Sequence, residues 1–119
     1  MRFIQIGDAT VCIAKLAPGL LKRIISGEKQ YEVRTESFLG ARLIAYTDLG
    51  GHLLTVFSIG EDLPYDRFED KRVRGMANVD AETFSRLFPP DVPQLWVARI
   101  HNRVTDSALI TTIKKEARL

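Results

Sequence analysis

Cysteine is nearly absent: Cys12 is the single one among 119 residues. No intrachain disulfide can form, which excludes the small secreted scaffolds that disulfides hold together. Histidine is almost as scarce. His52 and His101 stand alone, each reading as a plain surface residue, and one Cys with two His offers no recognisable zinc spacing. No metal or cofactor is expected. Nor is there a charge-free apolar run of the roughly 18 residues that a membrane helix needs; Asp48 interrupts the best candidate, Leu43 to Gly60. Met1 to Asp8 holds one Arg, four apolar residues and then an acid, too little for the centre of a secretory signal. A nucleophile elbow, a P-loop, a dinucleotide fingerprint, internal repeats and low-complexity tracts are all missing. The expectation is a soluble protein of a reducing, cytoplasmic compartment with no membrane partner.

What is present is ordinary in amount. The chain is 45% hydrophobic and 27% charged, and its length suits one domain over 1–119. Seventeen basic residues against fifteen acids leave a net charge of +2, too small to imply a nucleic-acid partner by itself. The distribution says more. Six basic residues face three acids between Lys15 and Arg42, whereas Glu61 to Asp70 holds five acids and one Arg, followed at once by Lys71, Arg72 and Arg74. Cys12 lies in Val11-Cys12-Ile13, an apolar setting that suits a core thiol rather than a reactive one.

The pattern predicts strands over Met1 to Ile6, Thr10 to Leu16, Gln30 to Arg34, Arg42 to Thr47, His52 to Ile59 and Leu95 to Val104. Gly50-Gly51 joins the fourth and fifth into a hairpin. Leu20, Leu21, Ile24 and Ile25 recur at helical spacing behind Pro18, and Gly27 stops that helix, so Pro18 to Ser26 reads as helical. Asp80 is an N-cap for a helix from Ala81 to about Phe88, ended by Pro89-Pro90. Leu109, Ile110, Ile113 and Ala117 recur at helical spacing, so Ser107 to Arg118 reads as a final helix, although Thr111-Thr112-Ile113 also suits a strand, while Leu63 to Val79 reads as charged and irregular. Hairpin-length gaps and the lack of regular βαβ alternation predict an α+β fold: a small, mostly antiparallel sheet or barrel with helices at its ends.

One stretch concentrates chemistry: Gly27-Glu28-Lys29-Gln30-Tyr31-Glu32-Val33-Arg34. On a strand, Glu32 and Arg34 share a face, and Lys29 sits at the helix-to-strand corner beside them. A Lys near both a Glu and an Arg feels opposing influences on its proton. Such a cluster can bind phosphate, polarise a carbonyl or supply a base; it is also compatible with a surface ion pair of under about 1 kcal/mol.

This stretch resembles the Gly-x-Lys-x-x-Glu-x-Arg motif of the ASCH domain family, a branch of the PUA-like fold, at Gly27, Lys29, Glu32 and Arg34. Ile24-Ile25-Ser26 resembles the apolar helix end that precedes it, Gly40 to Tyr46 the next strand, and Leu95 to Val104 the last core strand. The similarity spans about 13–104. It implies a small β-barrel with helices around it and a cleft beside the motif. It also implies RNA or modified-nucleotide binding, or hydrolysis: some members resemble ribonucleases, and others remove the acetyl group of N(4)-acetylcytidine with a Lys, a Thr and a Glu. Carried over, that Lys falls on Lys29 and the Thr on Glu32. The Glu falls near Met76, with Glu69 and Asp70 the nearest acids upstream.

Three functions follow as expectations. The first is a binding module that holds RNA or a nucleotide through Lys29, Glu32, Arg34, Arg72 and Arg74, with Lys71 to Arg74 forming one wall; Tyr31 and Trp96 would stack on a base if exposed, but both also suit a core. The second is a hydrolase of the same cleft with Lys29 and Glu32 catalytic. The third is an interaction module docking through Leu109, Ile110 and Ile113.

Overall fold

Short apolar and β-branched runs form most of this structure, a computed structural model described over residues 1–67 and 70–119. Strands β1 (Arg2–Ile6) and β2 (Ala9–Lys15) pair antiparallel across Gly7-Asp8. Helix α1 (Leu20–Ile25) and strand β3 (Tyr31–Arg34) follow, and the chain then returns as β4 (Leu43–Thr47), parallel to β2. The Gly50-Gly51 turn leads into β5 (Leu53–Ile59), antiparallel to β4 with a register shift at Tyr46/Thr47. Strand β6 (Leu63–Asp66), helix α2 (Asp70–Ala77), helix α3 (Ala81–Leu87), strand β7 (Gln94–Arg103) and helix α4 (Ser107–Ala117) complete the chain.

The strands make one sheet in the order β1-β2-β4-β5-β7-β3, with β6 also on β7. Strands β5 and β6 pair with successive parts of β7, and Gly60 N–H between them also donates to Arg99 O, while β3 pairs with β7 as well. All pairs but β2–β4 are antiparallel. The sheet curls into a half-barrel with the four helices at its periphery, in agreement with the expected α+β architecture. Arg34 reaches from β3, at one end of the sheet, to the end of β2, next to the other, donating Nη2–H to Lys15 O at 3.2 Å.

Three apolar clusters fill the fold. The largest lies inside the curl around Cys12, Phe38, Ile44, Tyr46 and Ile100. The second joins Val33, Leu95 and Val97 to Val73, Ala77, Phe84 and Phe88 of the helices. The third lies on the opposite face of β2, β4 and β5, which α4 covers with Ile113 and Ala117.

Three expectations need correction. Leu63 to Val79 is not irregular: it contains β6 and α2. Val73 and Ala77, four apart, give α2 its buried stripe, but the surrounding charges hid so short a signal. Helix α1 starts at Leu20 rather than Pro18, because Pro18 and Gly19 form a turn in which Leu20 N–H donates to Ala17 O. The apolar face of the last helix packs on this chain's own sheet, so Ile113 is fully buried and unavailable to a partner.

No described helix is long and apolar enough to cross a membrane.

Candidate functional site

The geometry of the site starts at the end of α1. Ser26 keeps helical backbone angles, and Gly27 then takes φ 82°, a left-handed conformation that a glycine adopts without steric cost. Gly27 N–H donates to Ile24 O at 3.1 Å and Lys29 N–H to Arg23 O at 2.9 Å. Two carbonyls of the helix end are satisfied in this way, and the backbone of Lys29 is pinned against the helix.

Its side chain turns inward. Lys29 is 5% exposed, and its Nζ donates to Ala77 O, at the C-terminal end of α2, at 2.8 Å. An ammonium has three N–H donors, and the other two have no protein partner among the described residues. Burial is the main reason its pKa lies below the ordinary value of 10.5; Arg34 and Arg23 push the same way, while Glu32 opposes them.

Strand β3 sets the rest. Its alternation puts Tyr31 and Val33 toward the helices, and Glu32 and Arg34 toward the interior of the curl. Both faces of the strand are therefore covered, and Glu32 is 4% exposed. A buried carboxylate needs partners. Tyr46 O–H, from β4, donates to Glu32 Oε2 at 2.5 Å, and Arg34 Nε lies 2.9 Å from Glu32 Oε1. Burial and then the Glu32 charge raise the Tyr46 pKa well above its usual value, so Tyr46 is a fixed donor. Burial, the largest single influence, lowers the pKa of Arg34, but Glu32 together with Tyr46 and Cys12 outweighs it and the net shift is upward. The pair is thus an interior ion pair, unlike the surface pair with which the sequence was also compatible.

Lys29, Glu32 and Arg34 line one cleft of about 170 Å³. Lys15 adds a third cation, and Val79 and Phe88 supply part of an apolar wall. Glu32 is the only carboxylate lining it among the described residues. Pockets that enclose drug-sized ligands are roughly 300–1,000 Å³, so this cleft suits a single ring or an acyl group. No described group of three or more His, Cys, Asp or Glu could hold a metal ion.

The other expected residues lie elsewhere. Arg74 lines a neighbouring groove with Arg23 and Lys71. Arg72 stacks over Tyr65, its Cζ 5.4 Å from the ring centroid, and lines a third cavity with Tyr31 and Met76. The wall of the cleft contributed by α2 is therefore Ala77, at the far end of that helix, and not Lys71 to Arg74. Tyr31 and Trp96 are partly buried against the second and first apolar clusters, and neither lines the cleft. Glu69 and the Asp70 side chain fall outside the described residues. His52 sits beside Asp48 on the hairpin, and His101 packs near Gly60. Sequence reasoning missed Tyr46 and the Ala77 carbonyl, because neither signals its role locally. Tyr46 reads as one more strand aromatic, and a carbonyl has no sequence signature at all.

No protein-family model matches the chain, and no curated protein matches it. Solved structures do. The crystal structure of ASCH from Zymomonas mobilis matches with a TM-score of 0.63 at 15% identity, over 88% of this chain and 77% of that one. Two single-substitution variants of the Zymomonas mobilis protein match at 16% identity. The serine-to-alanine form has a TM-score of 0.66 and covers 92% of this chain and 81% of its own. The tyrosine-to-phenylalanine form has a TM-score of 0.63 and covers 88% and 79%.

Proposed function

This protein has the ASCH fold, and we propose that it binds RNA or a modified nucleotide with one base in the cleft of Lys29, Glu32 and Arg34. The observation that carries this reading is the cleft itself: three cations and one oriented carboxylate around a space sized for one ring. The free N–H groups of Lys29 would donate to ring carbonyl or nitrogen acceptors. Glu32, held by Tyr46 and Arg34, would accept from an exocyclic amine or ring N–H. Lys15 and Arg34 leave the cleft with a net positive charge, which favours the approach of a polyanionic strand.

Binding of short single-stranded RNA, followed by fluorescence anisotropy between about 50 and 200 mM salt, tests the reading. Affinity should fall as salt rises, and Lys29→Met should weaken binding while leaving the circular dichroism spectrum unchanged. Salt-independent binding, or wild-type affinity in Lys29→Met, overturns it.

A second reading, hydrolysis in the same cleft, is favoured by the buried Lys29 amine with its lowered pKa. On an N-acylated base, Glu32 would accept a proton from water as its oxygen bonds to the acyl carbon, Lys29 N–H groups would hold the carbonyl oxygen on which negative charge develops, and Glu32 would return the proton to the exocyclic nitrogen as the C–N bond breaks, releasing the free base and the carboxylic acid. Mass spectrometry of a short RNA carrying one N(4)-acetylcytidine separates the two. Loss of the acetyl mass, or strand cleavage, abolished by Lys29→Ala, establishes an enzyme. An unchanged RNA, itself bound, leaves the binding module.

A further inference from the structure

Beside the cleft, across the segment Ala77 to Val79, lies a wider groove of about 490 Å³. Val79 lines both spaces, so they adjoin at that residue. Arg23, Lys71 and Arg74 bring three cations to the groove. Arg23 comes from α1 and is fixed by donating Nη1–H to Asn78 O at 2.6 Å, which leaves its other N–H groups for a ligand. The side chains of Lys71 and Arg74, one turn apart on α2, have no hydrogen-bond or ion-pair partner among the described residues. Two acids share the groove, but they are not equivalent. The Asp80 carboxylate caps α3 by accepting from Thr83 N–H at 2.7 Å, and hydrogen bonding to the Thr83 backbone and side chain holds its pKa below the usual carboxylate value. Glu28 is the one uncommitted carboxylate. Two guanidinium groups and an ammonium around an open space match the geometry and charge of a phosphate.

We propose that this groove is a phosphate subsite serving the ligand whose base occupies the cleft. The inference rests on the reading of the cleft given above and adds to it a ligand class: a nucleotide carrying a phosphate or phosphodiester is bound in preference to a free nucleoside. Size supports the division of labour. The cleft admits one ring, so the sugar and phosphate of a nucleotide must lie outside it, and the groove beyond Val79 is the adjoining basic surface. Arg23 and Lys29 hold the adjacent carbonyls Asn78 O and Ala77 O, so one clamped segment forms the wall between base and phosphate.

The test is isothermal titration at low salt with the four common ribonucleosides and N(4)-acetylcytidine, each free and as its 5′- and 3′-monophosphate. For the base that binds, one phosphate position should tighten binding by about tenfold or more in the wild type. In the double variant Lys71→Glu, Arg74→Glu that advantage should vanish, while the nucleoside binds as in the wild type. If the double variant does not fold, the single glutamine variants at the same positions read the same ratio. A nucleoside that binds without any gain from phosphate, or a gain that survives the variants, overturns the subsite and leaves the cleft reading intact. No binding of any nucleoside or nucleotide to the wild type overturns the cleft reading and the subsite together.

Discussion

The thiol of Cys12 shares the interior of the curl with the Glu32 carboxylate, and this makes stability sensitive to alkali. Burial, followed by the Glu32 charge, pushes Cys12 from 9.0 up to about 12. The folded chain therefore keeps a proton that the unfolded chain loses. The resulting stabilisation is fully present below about pH 9 and is lost as pH rises toward 12. Tyr46, raised for the same reasons, adds a loss of the same sign above its own usual value. Lys29 acts oppositely. With its pKa lowered, it costs stability at neutral pH, and that cost is relieved as pH rises through its folded value toward 10.5. Urea denaturation at pH 8 and at about pH 11 isolates the thiol: the wild type should lose up to about 1.4 kcal/mol more per pH unit than Cys12→Ala. Equal slopes would contradict it. A second substitution probes the carboxylate. Tyr46→Phe keeps the ring and removes the O–H that Glu32 accepts, and chemical denaturation should show a loss of about 1.5–3 kcal/mol. Of these residues, Lys29, Glu32 and Arg34 were legible from the sequence because they lie within six positions of one another. Tyr46 was not, since it reaches the site only when β4 is laid across the curl.

Elements with punctuation at both ends could be read in advance, and those without it could not. Helix α3 has its Asp80 cap and its proline stop, and the structure shows both, with Asp80 accepting from Thr83 N–H. Helix α1 has Gly27, which fixed its end, but no side-chain cap, and its start fell two residues later than Pro18 suggested. Helix α2 has two buried residues among its charges and no terminal signal of comparable strength, so its existence was missed altogether. Two element-scale measurements follow. Asp80→Ala removes the cap of α3 and should lower stability by about 0.5–2 kcal/mol in a thermal melt. Ile113→Ala opens a cavity where α4 meets the sheet, and should cost about 2–5 kcal/mol in urea denaturation. A near-neutral Ile113→Ala would mean that α4 is detached in solution and its apolar face is free for a partner.

At the scale of the whole molecule, the strand alternation was legible but its meaning was not. Glu32 and Arg34 fall on the polar side of β3, and in an ordinary two-layer fold that side faces water. Here β3 closes the curl, so a polar face became an interior one with a cleft at its mouth. The same closure depends on β7, which pairs with β3, β5 and β6 and sends Ala98 and Ile100 to one core and Leu95 and Val97 to another. The order of synthesis gives this arrangement a consequence. β7 spans 94–103 and emerges after six of the seven strands, so neither of those two cores can close while the earlier chain is being made. The nascent polypeptide exposes the edges of β5 and β3 until then, and chains released early should be prone to aggregate. A ribosome-stalled fragment ending at Pro93 should be digested rapidly by protease, and one extending through Leu119 on a flexible tether should resist it.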